Sequence, residues 1–187
     1  VPAAVALVVV PLPLVSVLFE RGAFGADDTA ATALAVAVYG LGLPAFVLQK
    51  ILQPLFFARE DTRSPFRYAL VAMVVNAVVA IGLSFFIGWI AAAIGTTLAG
   101  WAMVVALARG ARPMGDVARF DARFRARIWR ILIASAVMGA VLWGAMVLLT
   151  PMFALPGWRW GALVALVGAG LVSYFGTGQV IGAFRLH

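Results

Sequence analysis

An all-α polytopic membrane protein with six transmembrane helices is the fold class this sequence predicts, on three observations. Of its 187 residues, 65% are apolar and 11% are charged, with a mean hydropathy of +1.08. A soluble domain carries about a quarter charged and roughly half apolar residues, so this surplus needs lipid as its solvent. Six apolar runs are each long enough to cross a bilayer, and the basic residues between them alternate in density from loop to loop.

The runs fall at about 1–19, 32–57, 65–87, 90–108, 128–150 and 160–183. About 20 residues at 1.5 Å rise cross a ~30 Å hydrocarbon core, which makes 90–108 the marginal span. No basic region precedes the first run, so it reads as a span and not a signal peptide, and the chain reads as part of a longer protein. The linker at 20–31 holds Glu20, Arg21, Asp27 and Asp28. The second run holds Pro44, Gln49, Lys50, Gln53 and Pro54, and it ends on a charged hinge with Arg59, Glu60, Asp61 and Arg63. Only Gly88 and Trp89 divide the third run from the fourth, which predicts a tight helical hairpin.

The segment 109–127 has a pattern of its own. Val117, Phe120, Phe124 and Ile128 follow steps of three and four, and Arg119, Arg123, Arg127 and Arg130 follow the opposite face. That spacing predicts an amphipathic helix in the membrane interface beside anionic lipids; a solvated basic loop is the alternative. Trp158 and Trp160 open the last run as interface anchors. Ser173, Thr177, Gly178 and Gly182 suit close helix packing near its end.

Loop charges orient the chain. Eleven of the fourteen basic residues fall in the loops 58–67 and 109–130 or in the tail, two lie in the alternate loops, and Lys50 lies within a span. The positive-inside rule makes the rich side cytoplasmic and places both termini there. In a membrane chain, the net charge of +7 reads as loop topology and contact with anionic lipid, not as nucleic-acid binding.

Lys50 is the leading candidate for function, because a charge at depth costs ~2.5–3.5 kcal/mol on insertion scales. Snorkelling toward the interface is the alternative. Gln49 and Gln53, one turn apart, extend it into a polar strip of the kind that walls a wet cavity. Pro44 and Pro54 bracket that strip and should bend or locally break the helix, as gating elements do. Asn76 in the third run and Thr96 and Thr97 in the fourth lie on antiparallel neighbours, with Asn76 and Thr96 ~6 Å apart in depth if both helices are straight. They read as helix–helix hydrogen bonding or, with tilt, as oxygen ligands for sodium, with no carboxylate in the hairpin to neutralise an ion. There is no cysteine, and the single histidine is His187. With no acid pair, triad or phosphate-binding loop, the chain offers no catalytic residues and reads as a non-enzyme.

Three blocks carry a resemblance. They are Glu20-Arg21-Gly22-Ala23-Phe24 with Asp27-Asp28-Thr29, then Tyr39 through Lys50, then Phe56 through Pro65. In this order and spacing they resemble the MurJ (MviN) family of lipid II flippases in the MOP exporter superfamily. The resemblance is dense over 16–110 and looser over 111–187.

It implies a bacterial inner-membrane protein of fourteen helices, two six-helix lobes and a final pair. This chain would supply four helices of the second lobe (1–108), a cytoplasmic basic linker (109–127) and the final pair (128–187). The family moves undecaprenyl-pyrophosphate-linked peptidoglycan precursor outward by alternating access. Its last two helices form a groove for the lipid tail. The resemblance therefore implies lipid II and an N-terminal lobe as partners, beside the anionic membrane lipids to which the basic residues point. Lys50 matches a lysine typical of the family, and Asn76 and Thr96 match positions that hold sodium in some members, but Ala80 stands where a carboxylate completes that site. The hinge residues Arg59, Glu60, Asp61 and Arg63 serve as family motif. Another MOP-type flippase for a polyprenyl-linked glycan, and a non-transporting membrane scaffold, remain as alternatives.

Overall fold

Proline shapes the first departure from six straight spans. The computed structural model describes residues 1–114, 122–153, 155 and 157–182. In it the run at 1–19 is two short helices, α1 (Pro2–Val9) and α2 (Pro11–Phe19), bent by 76° at Val10. Pro11 and Pro13 each lack an N–H, and their rings would collide with the carbonyls of Leu7 and Val9. Two such conflicts within one turn end α1, and Pro11 then starts α2 at the first helical position, where proline is favoured.

Five further helices are each long and apolar enough to cross a membrane: α3 (Ala26–Phe57), α4 (Arg63–Ile87), α5 (Ile90–Ala111), α6 (Ala122–Phe153) and α7 (Arg159–Val180). The broken α1–α2 pair makes a sixth span if it is counted as one. No strand occurs among the described residues. The chain is thus a multi-pass, all-α membrane protein. α3 starts early because Asp27 and Asp28 suit the positive end of the helix dipole, and the Asp28 carboxylate accepts from the N–H of Gly25 at 3.1 Å.

The segment at 109–127 is taken up at both ends by its neighbours. α5 continues through Ala111 into a 3₁₀ turn at 112–114, and α6 is already helical at Ala122. The expected interfacial helix over Val117, Arg119 and Phe120, and the side chains of Arg123 and Phe124, lie outside the described residues.

The helices form two compact units, one of residues 1–40 and 121–187, the other of residues 41–120. In the first, α7 packs along α6, while α1 lies on α6 and α2 on α7. Its core is Val10, Met138, Leu142 and Leu166. Ser135 is buried within this unit but satisfied, its hydroxyl donating to the carbonyl of Ile131 at 2.8 Å. In the second unit the second half of α3 joins the α4–α5 hairpin around Leu52, Phe56, Met103 and Leu107. Phe56 and Tyr68 meet edge to face there, 6.0 Å between centroids. Val71, Val74, Val78, Phe85 and Phe86 on α4 are exposed, which lipid makes inexpensive.

The hairpin turn is as tight as its two residues require. Gly88 adopts φ +62°, ψ −137°, a conformation that side chains disfavour, and it ends α4 one residue before Trp89 leads into α5. α3 remains one continuous helix through both Pro44 and Pro54, so neither proline interrupts it as Pro11 interrupts the first run. Isolated prolines ten residues apart each cost one hydrogen bond, which neighbouring turns can absorb.

Candidate functional site

Gln49 and Gln53 lie one turn apart on α3 and point to the same side, as an i, i+4 pair must. Both line a cavity of about 460 Å³ within the second unit, and Asn76 of α4 and Thr96 of α5 line it too. Four residues from two separate sequence arguments therefore border one space. The space exists because Ala69, Ala72, Ala99 and Gly100 present almost no side chain there. Lys50 does not line this cavity. It is exposed on the flank of α3, a 100° rotation from Gln49, and makes no ion pair or hydrogen bond with another described residue.

Gln49 has a structural task as well. Its Nε2 donates to the carbonyl of Gly100 at 2.9 Å, joining α3 to α5. The Trp101 indole N–H makes a parallel link to the carbonyl of Leu41 at 3.1 Å. Sequence reasoning missed Trp101 and Gly100. A tryptophan mid-span reads as apolar bulk, and a backbone acceptor leaves no mark in a sequence.

Asn76 and Thr96 do not bond to each other. Thr96 donates to the carbonyl of Ala92 in its own helix at 2.9 Å, and Asn76 makes no hydrogen bond to another described residue. The expectation that this pair glues the hairpin by side-chain hydrogen bonding is therefore replaced by close backbone approach. A Cβ on Gly95 would lie 2.8 Å from Asn76 Oδ1 and 3.0 Å from the Asn76 carbonyl oxygen. α5 can press against α4 only because residue 95 has no side chain.

The oxygens of Asn76 and Thr96 are both neutral, and Ala80 packs against Gly95, its Cβ 3.1 Å from where a Cβ there would stand. No group of three His, Cys, Asp or Glu side chains that could hold a metal ion exists among the described residues. Asn76 and Thr96 thus offer two neutral oxygens, and Ala80 supplies no carboxylate to neutralise a bound sodium ion.

The hinge at 57–65 is two helix caps in sequence. Glu60 sits at φ +58°. Its N–H donates to the Phe57 carbonyl at 3.0 Å, and the Asp61 N–H to the Phe56 carbonyl at 3.1 Å. These two bonds make a Schellman motif with glutamate where glycine is usual. Asp61 then accepts from the Ser64 N–H at 3.0 Å in the first turn of α4. Hydrogen bonds from Ser64, its side chain foremost, hold the half-buried Asp61 carboxyl below the usual carboxylate range. Arg59 donates to the carbonyl of Met114, tying the hinge to the end of α5, and Arg63 is exposed at the start of α4.

The first unit holds an apolar groove of about 330 Å³, lined among others by Ala6, Val10, Met138, Leu142, Leu166 and Leu171. Its walls include the broken pair α1–α2 as well as α6 and α7.

The chain is similar to known proteins along most of its length. The family described as lipid II flippase MurJ matches residues 1–168. A probable lipid II flippase MurJ of Rhizobium tropici is 42% identical over 141 residues, covering 75% of this chain and 26% of that protein. Its counterpart in Vibrio cholerae is 32% identical, covering 97% of this chain and 35% of that protein. The chain thus spans about a quarter to a third of the length of these relatives. A solved structure, described as lipid II flippase MurJ in an inward closed conformation, shares the fold. It has a TM-score of 0.76 and 23% identity over 96% of this chain and 35% of that one.

Proposed function

The chain belongs to the lipid II flippase MurJ family, and on that footing we propose that it forms the C-terminal part of a lipid II flippase. The whole protein carries undecaprenyl-pyrophosphate-linked peptidoglycan precursor across the bacterial inner membrane by alternating access. Its basic loops at 58–67 and 109–130 face the cytoplasm, as do both ends of this chain. The domain assignment follows: 1–108 belongs to the second lobe, 109–127 is a cytoplasmic linker against anionic lipids, and 128–187 is the final pair.

The cavity between α3, α4 and α5 supports this reading most strongly. Three apolar spans gather four polar side chains around one space, where polar groups in a lipid-facing segment are costly. Gln49, Gln53, Asn76 and Thr96 offer neutral donors and acceptors to sugar and amide groups as these pass. Lys50 meets a phosphate or headgroup oxygen on the adjacent flank of α3, and Pro44 and Pro54 let that helix flex between states. The apolar groove beside α6 and α7 takes the polyprenyl tail. Transport also requires the other lobe, because alternating access needs two bodies to rock against each other.

Complementation tests the central role. Lys50→Ala in the intact gene product should fail to support growth when the host's own lipid II flippase is depleted, at normal membrane abundance. Full complementation by that variant removes Lys50 from the transport path. Rescue of O-antigen export in place of lipid II translocation would move the protein to a sister group of flippases.

A further inference from the structure

The first unit holds a second polar feature that the transport reading leaves unused. Glu20 and Arg21 follow the end of α2, Arg159 and Trp160 begin α7, and with Ser16 and Gly157 they line a pocket of about 420 Å³. Arg21 lies over the Trp160 ring, its guanidinium carbon 5.3 Å from the centroid, and one Nη donates to the Val17 carbonyl at 3.4 Å. Arg159 is fixed through Nε, which donates to the Phe153 carbonyl at 2.9 Å. Its Nη2 stands 3.9 Å from Glu20, close enough for attraction but beyond hydrogen-bond reach. Glu20 turns its other oxygen to the Thr29 hydroxyl at 3.4 Å. Two guanidinium groups thus border one pocket with a single carboxylate between them, and neither Nη of Arg159 donates to a described residue.

The sequence makes this arrangement more pointed. Outside the arginine-rich loops and tail, Arg21 and Arg159 are the only arginines of the chain, and the fold brings both to one place. Basic residues opposite the rich loops run against the topology rule, so two in one pocket need a reason other than solvation. Trp160 marks the depth as that of lipid head groups. The apolar groove lies close by: Leu14 of α2 lines it and Ser16 and Val17 line the pocket. Along α7, Leu166 in the groove is seven residues from Arg159, about 10 Å of helical rise.

We infer that the Arg21–Arg159 pocket binds the phosphate of an anionic lipid whose acyl chain enters the neighbouring groove. Guanidinium forks match phosphate oxygens in pairs, and stacking on Trp160 removes part of the rotamer freedom that binding would otherwise cost. The site takes the phosphate ester of a phospholipid at the membrane surface. Only its leaflet depends on the topology proposed above; binding does not.

Native mass spectrometry of the intact gene product in detergent tests it, with phosphatidylglycerol, diacylglycerol of the same acyl chains, and inorganic phosphate as probes. The wild type should retain phosphatidylglycerol about tenfold or more over diacylglycerol, the ratio expected when charge-assisted hydrogen bonds are made to one and not the other. R21Q/R159Q should lose that preference. E20Q keeps the shape of Glu20 but removes its charge, and should raise phosphatidylglycerol retention several-fold. Displacement of the lipid by inorganic phosphate assigns recognition to the phosphate alone; resistance to it assigns the source as a lipid. If the four residues are only a clasp between α2 and α7, E20Q will not raise retention, and that result overturns the proposal even where R21Q/R159Q fails to fold. Unchanged preference in a folded R21Q/R159Q overturns it equally.

Discussion

Gly95→Ala adds one methyl group where α5 meets α4, and its cost follows from three distances. The new Cβ would stand 2.8 Å from Asn76 Oδ1, 3.0 Å from the Asn76 carbonyl oxygen and 3.1 Å from Ala80 Cβ. Favourable contact between heavy atoms begins near ~3.5 Å. The Asn76 carboxamide can rotate aside, but a backbone oxygen and a Cβ cannot, so the two helices must part by roughly half an ångström. Overpacking of this kind costs ~1–3 kcal/mol. Alanine offsets ~0.8–1 kcal/mol of that through its better helix propensity. Gly82 on α4 isolates the propensity gain, because a Cβ there meets nothing within 4 Å. Gly82→Ala should therefore stabilise, and Gly95→Ala should be about 2 kcal/mol less stable than Gly82→Ala, up to ~30-fold in the unfolding equilibrium. Reversible SDS-induced unfolding in mixed micelles, followed by tryptophan fluorescence, measures both. Adding Asn76→Ala to Gly95→Ala should recover only part of the loss, since the carbonyl and Ala80 contacts remain. Equal stability of the two single variants would refute the close-approach argument.

Other expectations follow from the second unit. Gln49→Leu removes the link to Gly100 and should cost ~0.5–1.5 kcal/mol in the same assay, the range for interhelical hydrogen bonds in lipid. Glu60→Gly should stabilise by about 1 kcal/mol, because glycine relieves the left-handed backbone, while Glu60→Val should destabilise. Asp61 has a folded-state pKa below its unfolded one, so its contribution is full above the ordinary carboxylate range and is lost as pH falls through the folded value. Thermal unfolding from pH 6 to pH 3 should therefore lose less stability in Asp61→Asn than in the parent, whose carboxylate cap disappears on protonation.

Much of this architecture was legible because lipid imposes simple demands. Length and apolarity alone mark the spans, and two residues between the runs at 65–87 and 90–108 permit only a hairpin. Prolines were harder to read. Pro11 and Pro13 break a helix while Pro44 and Pro54 sit within a continuous one, and the difference lies in clustering, which a residue-by-residue rule overlooks. The polar strip was half legible. The four-residue spacing of Gln49 and Gln53 put them on one wall, yet the same geometry turns Lys50 aside, although it looked like their companion. Gly95 gave no sign of its importance, because what it accommodates is a carbonyl nineteen positions away. The hinge misled by its charge: Glu60 holds a conformation that glycine usually marks, so the Schellman motif was invisible.

That hinge is a corner with no slack. One residue, Glu60, ends α3, and the next, Asp61, caps α4, so each position already serves a helix end. The exposed side chain of Arg63 is replaceable, but the residue count of the hinge is not. Exchanging the charge of Arg63 leaves the backbone path intact, whereas inserting even one residue shifts the left-handed position out of register with both caps. An epitope tag or protease site placed between Phe57 and Ser64 would thus test the geometry of the turn more than the tolerance of a loop. The gap between α3 and α4 is better treated as a fixed joint than as a linker.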